Sequence, residues 1–175
     1  SNKLWRTDGD INVAADLWCS SRDEAQQRYG HIREWDVSSV TDMSGLFDEK
    51  GDFNDDISRW DVSNVTNMRH MFLNAVTFNQ PLSRWNVSNV TNMCGMFDNA
   101  QTFNQPVGDW NVSHVTDMAG LFENAHSFNQ PVGDWDVSKV DDICHMFEEA
   151  RAFNQDLGLT KWDLCFGYKT RMFHN

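Results

Sequence analysis

Basic residues are scarce in this 175-residue chain: 14 Lys and Arg stand against 26 Asp and Glu, a formal charge of −12. Such a balance gives no electrostatic footprint for phosphate backbones or anionic headgroups, so nucleic acid is not expected as a ligand. No apolar run approaches the roughly 18 residues that a membrane-spanning helix needs, and no membrane insertion is expected. Residues 1–20 also lack the basic start and apolar core of a signal peptide. Only three prolines occur, and no Gly/Ser/Pro-rich stretch or charge run interrupts residues 35–159. One domain is therefore expected. Cysteine is limited to Cys19, Cys94, Cys144 and Cys165, with no Cys-x-x-Cys, His-Glu-x-x-His or Gly-rich phosphate loop.

What the chain does contain is a period. Trp-[Asp/Asn]-Val-Ser recurs every 25 residues at Trp35, Trp60, Trp85, Trp110 and Trp135, and the repeating unit continues as x-Val-Thr-[Asp/Asn]-Met-x-x-[Met/Leu]-Phe-x-x-Ala-x-x-Phe-Asn-Gln-Pro. Self-similarity at this spacing implies nearly identical coils stacked on one another. The 12 Phe and 8 Trp can hide only against neighbouring coils, so a single unit should not fold. Three departures mark the less regular copies: Lys50 where the others have Ala, Ile143 in place of Met, and Asp55-Asp56 in place of Gln-Pro.

Inside a unit, Met93, Met96, Phe97 and Ala100 follow the i, i+3, i+4, i+7 spacing of a short helix face. Asn92 and its equivalents, Asp42, Asn67, Asp117 and Asp142, are placed to cap such a helix. Trp-x-Val alternates beside Val and Thr, which suits a short strand pairing with equivalents above and below. Stacking at about 4.8 Å would put Cys94 and Cys144, two coils apart, roughly 10 Å from each other, too far for a disulfide.

The long signature Trp-Asp-Val-Ser-x-Val-Thr-x-Met-x-x-Met-Phe-x-x-Ala-x-x-Phe-Asn-Gln resembles the BspA-type repeat of surface proteins, a family grouped with leucine-rich repeats. The resemblance extends to the entry segment Ile11–Trp18 and Tyr29–Ile32. With it, the expected fold is α/β: a leucine-rich-repeat-like solenoid of five 25-residue strand-turn-short-helix coils. Residues 1–34 form a helical N-terminal cap, 35–159 the array, and 160–175 a degenerate C-terminal cap built on Trp162. Val13, Leu17 and Trp18 are expected to face inward. The resemblance implies a non-catalytic adhesion and binding role at a cell surface or outside the cell.

Rows that repeat in every coil read as architecture: Trp and Met as core, and Asn54, Asn79, Asn104, Asn129 and Asn154 as bonds to the adjoining coil. Asp48, Asp98, Glu123 and Glu148 read as a solvated outer face. The Ser row repeats identically and singles out no nucleophile, so no enzyme is expected. No cofactor is implied; His70 with Cys94 lacks a third ligand for zinc.

Recognition needs chemical variety, and two rows supply it. The residue before Trp runs Arg59, Arg84, Asp109, Asp134; the residue after Ser runs Ser39, Asn64, Asn89, His114, Lys139. If Trp and Val point inward, these rows form an outward polar strip for a partner protein or surface glycan, with the chain a monomer. Two other readings stand beside it. One is a structural spacer or cell-wall component without its own ligand, and the other is calcium-assisted adhesion through Asp36, Asp61, Asp109, Asp134 and Asp136.

Overall fold

A computed structural model describes residues 3–158 together with 162, 172 and 173. The chain packs each 25-residue coil directly on the next, but not as an α/β solenoid. Among the described residues the repeats contain neither a strand nor a helix. Among the described residues the helices are α1, Ile11–Ser20, and α2, Arg22–Tyr29, followed by one 3-10 turn, Ile32–Glu34. Among these residues strand-like pairing is confined to isolated parallel bridges, Asp42 with Asn67 and onward at each 25-residue step to Asp142, plus Trp5 with Asp36.

Backbone hydrogen bonds explain why the expected helix is absent. Along Met93–Ala100 the N–H groups, that of Cys94 apart, alternate between two destinations. Met93, Gly95, Phe97 and Asn99 donate to the next coil, at Asp117, Ala119, Leu121 and Glu123, whereas Met96, Asp98 and Ala100 donate three residues back. Each even step closes a turn, and each odd step holds the layer above. Left-handed backbone makes this alternation possible: Gly95 and Asn99 have φ of 58° and 54°, and the same two rows turn left-handed in all five coils. Glycine and asparagine adopt that conformation readily, which an α-helix would not tolerate. The asparagine or aspartate ahead of Met is not a helix cap. It accepts from the N–H two residues on, as in Cys94 N–H to Asn92 Oδ1 at 2.9 Å.

The expected strand is replaced in the same way. Val90 donates to Val87 O and Trp85 to Leu82 O, so the Trp-x-Val segment joins two tight turns. Its side chains still point inward as alternation required: Trp85, Val87 and Val90 are buried.

Aromatic packing seals the layers. Phe97 stacks on Phe72 and Phe122 at 5.4 and 5.7 Å and on Phe103 of its own coil at 4.0 Å. Two phenylalanine columns thus run the length of the array, each ring contributing about 1.5–3 kcal/mol by burial. The five repeat tryptophans are core, and from Trp60 to Trp135 each indole N–H reaches a carbonyl 28 residues earlier, Trp110 to Leu82 O at 3.1 Å being typical. Trp162 continues this row onto Gly133 O, and Phe173 continues the phenylalanine column onto Phe147 at 5.5 Å. Met172 is buried beside them and its carbonyl accepts from Phe147 N–H; the other residues of the expected C-terminal cap, Cys165 included, lie outside the described residues.

At the N-terminal end the buried face of α1 is Ile11, Ala14, Ala15 and Trp18. Val13 is 60% exposed, because two residues on from Ile11 is the opposite side of a helix. The irregular residues of the first coil hold this cap. Lys50 pairs with Asp16 at 2.8 Å, Asp55 accepts from Trp18 Nε1 at 3.0 Å and chelates Arg22, and Asp56 faces Arg33. Ahead of α1, the start of the expected helical cap is extended and takes the place of a preceding coil. Asp36 N–H donates to Leu4 O and Arg6 N–H to Asp36 O. Asp8 Oδ1 accepts from Thr41 and Asp42 N–H at 2.8 and 3.1 Å, where later coils use the carbonyl of the threonine below. Arg6 is buried beneath Tyr29 and Trp35 and pairs with Asp10 at 2.7 Å.

Candidate functional site

The variable strip is built from two columns of turn corners. Each turn before a tryptophan places one apolar residue and the indole inside and two residues at the corner, because Trp60, Trp85, Trp110 and Trp135 N–H bond back to Ile57, Leu82, Val107 and Val132 O. The corners are Ser58-Arg59, Ser83-Arg84, Gly108-Asp109 and Gly133-Asp134. Arg59, Arg84, Asp109 and Asp134 are all exposed, in one row. The second column, after each serine, is also exposed at Asn64, Asn89, His114 and Lys139.

The two columns differ in their commitments. Asn64 Nδ2 donates to Ser38 O and Asn89 Nδ2 to Ser63 O, both at 2.7 Å, and His114 Nδ1 lies 3.0 Å from Ser88 O. Three members of this column therefore staple one coil to the one below, a role the sequence reading assigned only to the Asn54–Asn154 row. The row before Trp carries the charge, positive in coils 1 and 2 and negative in coils 3 and 4.

A recess lies beside the negative half. Gly108, Asp109, Pro131, Gly133, Asp134, Asp156 and Gly158 enclose about 390 Å³. Its floor is bare backbone by necessity: a Cβ on Gly108 would sit 2.5 Å from Pro131 O, and one on Gly133 2.5 Å from Asp156 O. Pro131, Asp156 and the three glycines were not among the residues singled out from sequence. The change from Ser58 and Ser83 to Gly108, Gly133 and Gly158 in one row was the available signal.

Other titratable groups serve the fold. Asp61 holds Ser63 by side-chain and backbone hydrogen bonds, which lower its carboxyl against a smaller opposing effect of burial. Asp36 and Asp136 accept from Ser38 and Ser138 N–H at 3.1 Å in the same way. Among the described residues no three His, Cys, Asp or Glu side chains converge on a possible metal position. Cys19 and Cys94 are free thiols, and burial pushes Cys19 up to about 11 despite the opposing charge of Lys50. The supposed solvated acidic row is half-buried at Asp98, Glu123 and Glu148. Desolvation raises Asp98 and, together with the charges of Asp98 and Glu148, Glu123.

Among known families, the one described as "Mycoplasma protein of unknown function, DUF285" matches residues 20–119 and again residues 83–175, which between them take in all five copies. No curated protein and no solved structure matches the chain.

Proposed function

We propose, from the premise that this chain belongs to that family of repeat proteins, that it is a non-catalytic recognition module, binding a protein or glycan at a cell surface through the row Arg59, Arg84, Asp109, Asp134 and the adjoining recess. The observation that carries the reading is the division of labour between rows. Repeating polar rows carry hydrogen bonds of the fold, either between coils, as Asn104 and Thr91 do, or closing a turn within one, as Asp61 does with Ser63. The row before Trp varies in charge, is exposed throughout, and borders a recess of about 390 Å³. Asn64, Asn89 and His114 contribute as rigid neighbours, since their ring or amide nitrogens are engaged below, and Lys139 as an exposed cation at the far end.

A preformed surface on stacked turns orders little on binding, so its entropic cost is low. The BspA-type likeness of the repeat supports adhesion as the context and the cell surface as the place. The test is binding of the fluorescently labelled chain to a printed glycan array and to intact cells, by wild type, R59E/R84E and D109K/D134K. Loss of binding by the charge-reversed chains, with unchanged circular dichroism and melting, is the expected result. Binding that survives both reversals would overturn the assignment to this row.

A further inference from the structure

We infer that the partner this strip fits is a second copy of the chain, docked antiparallel across a two-fold axis that passes between Arg84 and Asp109. The inference rests on the recognition reading above and narrows it to one partner. Its first support is arithmetic. Arg59, Arg84, Asp109 and Asp134 occupy the same turn corner in four successive coils, and successive coils are evenly spaced, their phenylalanine columns stepping 5.6, 5.4 and 5.7 Å. An evenly spaced row of charges ordered plus, plus, minus, minus is its own complement when reversed. The two-fold sets Arg59 against Asp134 of the second copy and Arg84 against Asp109, and symmetry repeats both pairs.

The second support is shape. Beside Arg59 and Arg84 the corner carries Ser58 and Ser83, so this half stands as a ridge of two long side chains over filled positions. Beside Asp109 and Asp134 the corner carries Gly108 and Gly133, and the surface falls into the recess bounded by Pro131 and Asp156. Reversal lays the arginine ridge of each copy into the glycine-floored recess of the other. Neither half of the row would do this alone, and a row of uniform charge would repel its own copy.

Magnitude sets the regime. Four ion pairs between exposed side chains are individually weak, so the pair is transient. The formal charge of −12 per chain opposes approach. At about 0.1–0.15 M salt the Debye length of roughly 8–10 Å screens that repulsion while contacting pairs persist.

The experiment is sedimentation velocity on the full chain over a concentration series reaching about 1 mM, the range of weak association, for wild type, R59E/R84E and D109R/D134R, and for the two variants mixed. Wild type should self-associate, and each variant alone should weaken at least tenfold. The all-acidic and all-basic rows, mixed in equal amounts, should restore association. A wild type that stays monomeric overturns the inference. So does a variant that self-associates like wild type, or a mixture that fails to recover. Sedimentation is read apart from the glycan and cell arms, so loss of self-pairing with retained charge-sensitive cell binding removes this partner and leaves the recognition surface standing.

Discussion

Replacing Asn104 by alanine tests whether the asparagine row is structural in the way its hydrogen bonds require. The side-chain oxygen accepts from Asn129 N–H at 2.9 Å and from Gln130 Nε2 at 3.0 Å. Alanine removes both. Gln130 keeps its second acceptor, the Asn104 carbonyl at 3.1 Å, but the Asn129 N–H keeps none. One orphaned, half-buried amide plus one lost side-chain bond costs about 1–2 kcal/mol, less than a fully buried donor because water reaches the site. For a chain of this length that is a fall of about 3–6 °C in Tm. Two companion variants isolate the cause. Asn104→Asp retains the acceptor oxygen and should stay within about 0.5 kcal/mol of wild type. Asn154→Ala makes the same change in the last coil, where no described residue donates to that side chain, and should also be nearly silent. Urea unfolding by tryptophan fluorescence reads all three. Equal losses at Asn104 and Asn154, or an aspartate variant as weak as alanine, would refute the reasoning.

Three further outcomes follow from local geometry. Burial opposes ionisation of Asp8, but the hydrogen bonds from Thr41 and Asp42 outweigh it and hold the carboxyl below its ordinary value of 3.8. The folded form therefore favours the ionised group. Its stabilisation is complete above the unfolded pKa and disappears as pH falls through the lowered one. Asp8→Ala should melt lower at pH 7, with the gap to wild type closing on acidification below about pH 4 in a pH series of melting curves. Glu123 has the opposite sign: burial and its acidic neighbours raise it, so its ionisation weakens the fold as pH climbs. Glu123→Gln should gain up to about 0.5 kcal/mol at pH 7 after allowance for solvent screening, and nothing at pH 3, by urea titration at both pH values. Gly133→Ala places a Cβ against Asp156 O, and a displaced turn there should lower stability by about 1–3 kcal/mol in the same assay.

Much of the core was legible because burial depends only on which side of the coil a residue faces. Trp110, Val112, Met118, Phe122 and Ala125 are inside whether the backbone is helical, extended or turning. Backbone conformation was not legible from the same pattern. The spacing of Met93, Met96, Phe97 and Ala100 matches a helix face, yet a run of turns with left-handed steps at Gly95 and Asn99 brings the same residues together. Gly45, Gly95 and Gly120 in one row, and Asn74, Asn99 and Asn124 in another, were the signals against a helix; both residue types favour positive φ. In the strip, Arg59 through Asp134 were found because they vary. The stapling by Asn64 and Asn89 was hidden, since a donor to a carbonyl 26 residues earlier leaves no local trace. The role of Asp8 was invisible for a related reason: it imitates a coil that its sequence does not resemble.

Because layers two to five present the same backbone turns and aromatic columns to one another, an error of 25 positions in a growing chain leaves most contacts between layers intact. Lys50, Asp55 and Asp56 remove that degeneracy. They fit only the helical plug, whose partners Asp16, Trp18, Arg22 and Arg33 occur once. The oddities of the opening layer thus act as an origin from which the remaining layers are counted.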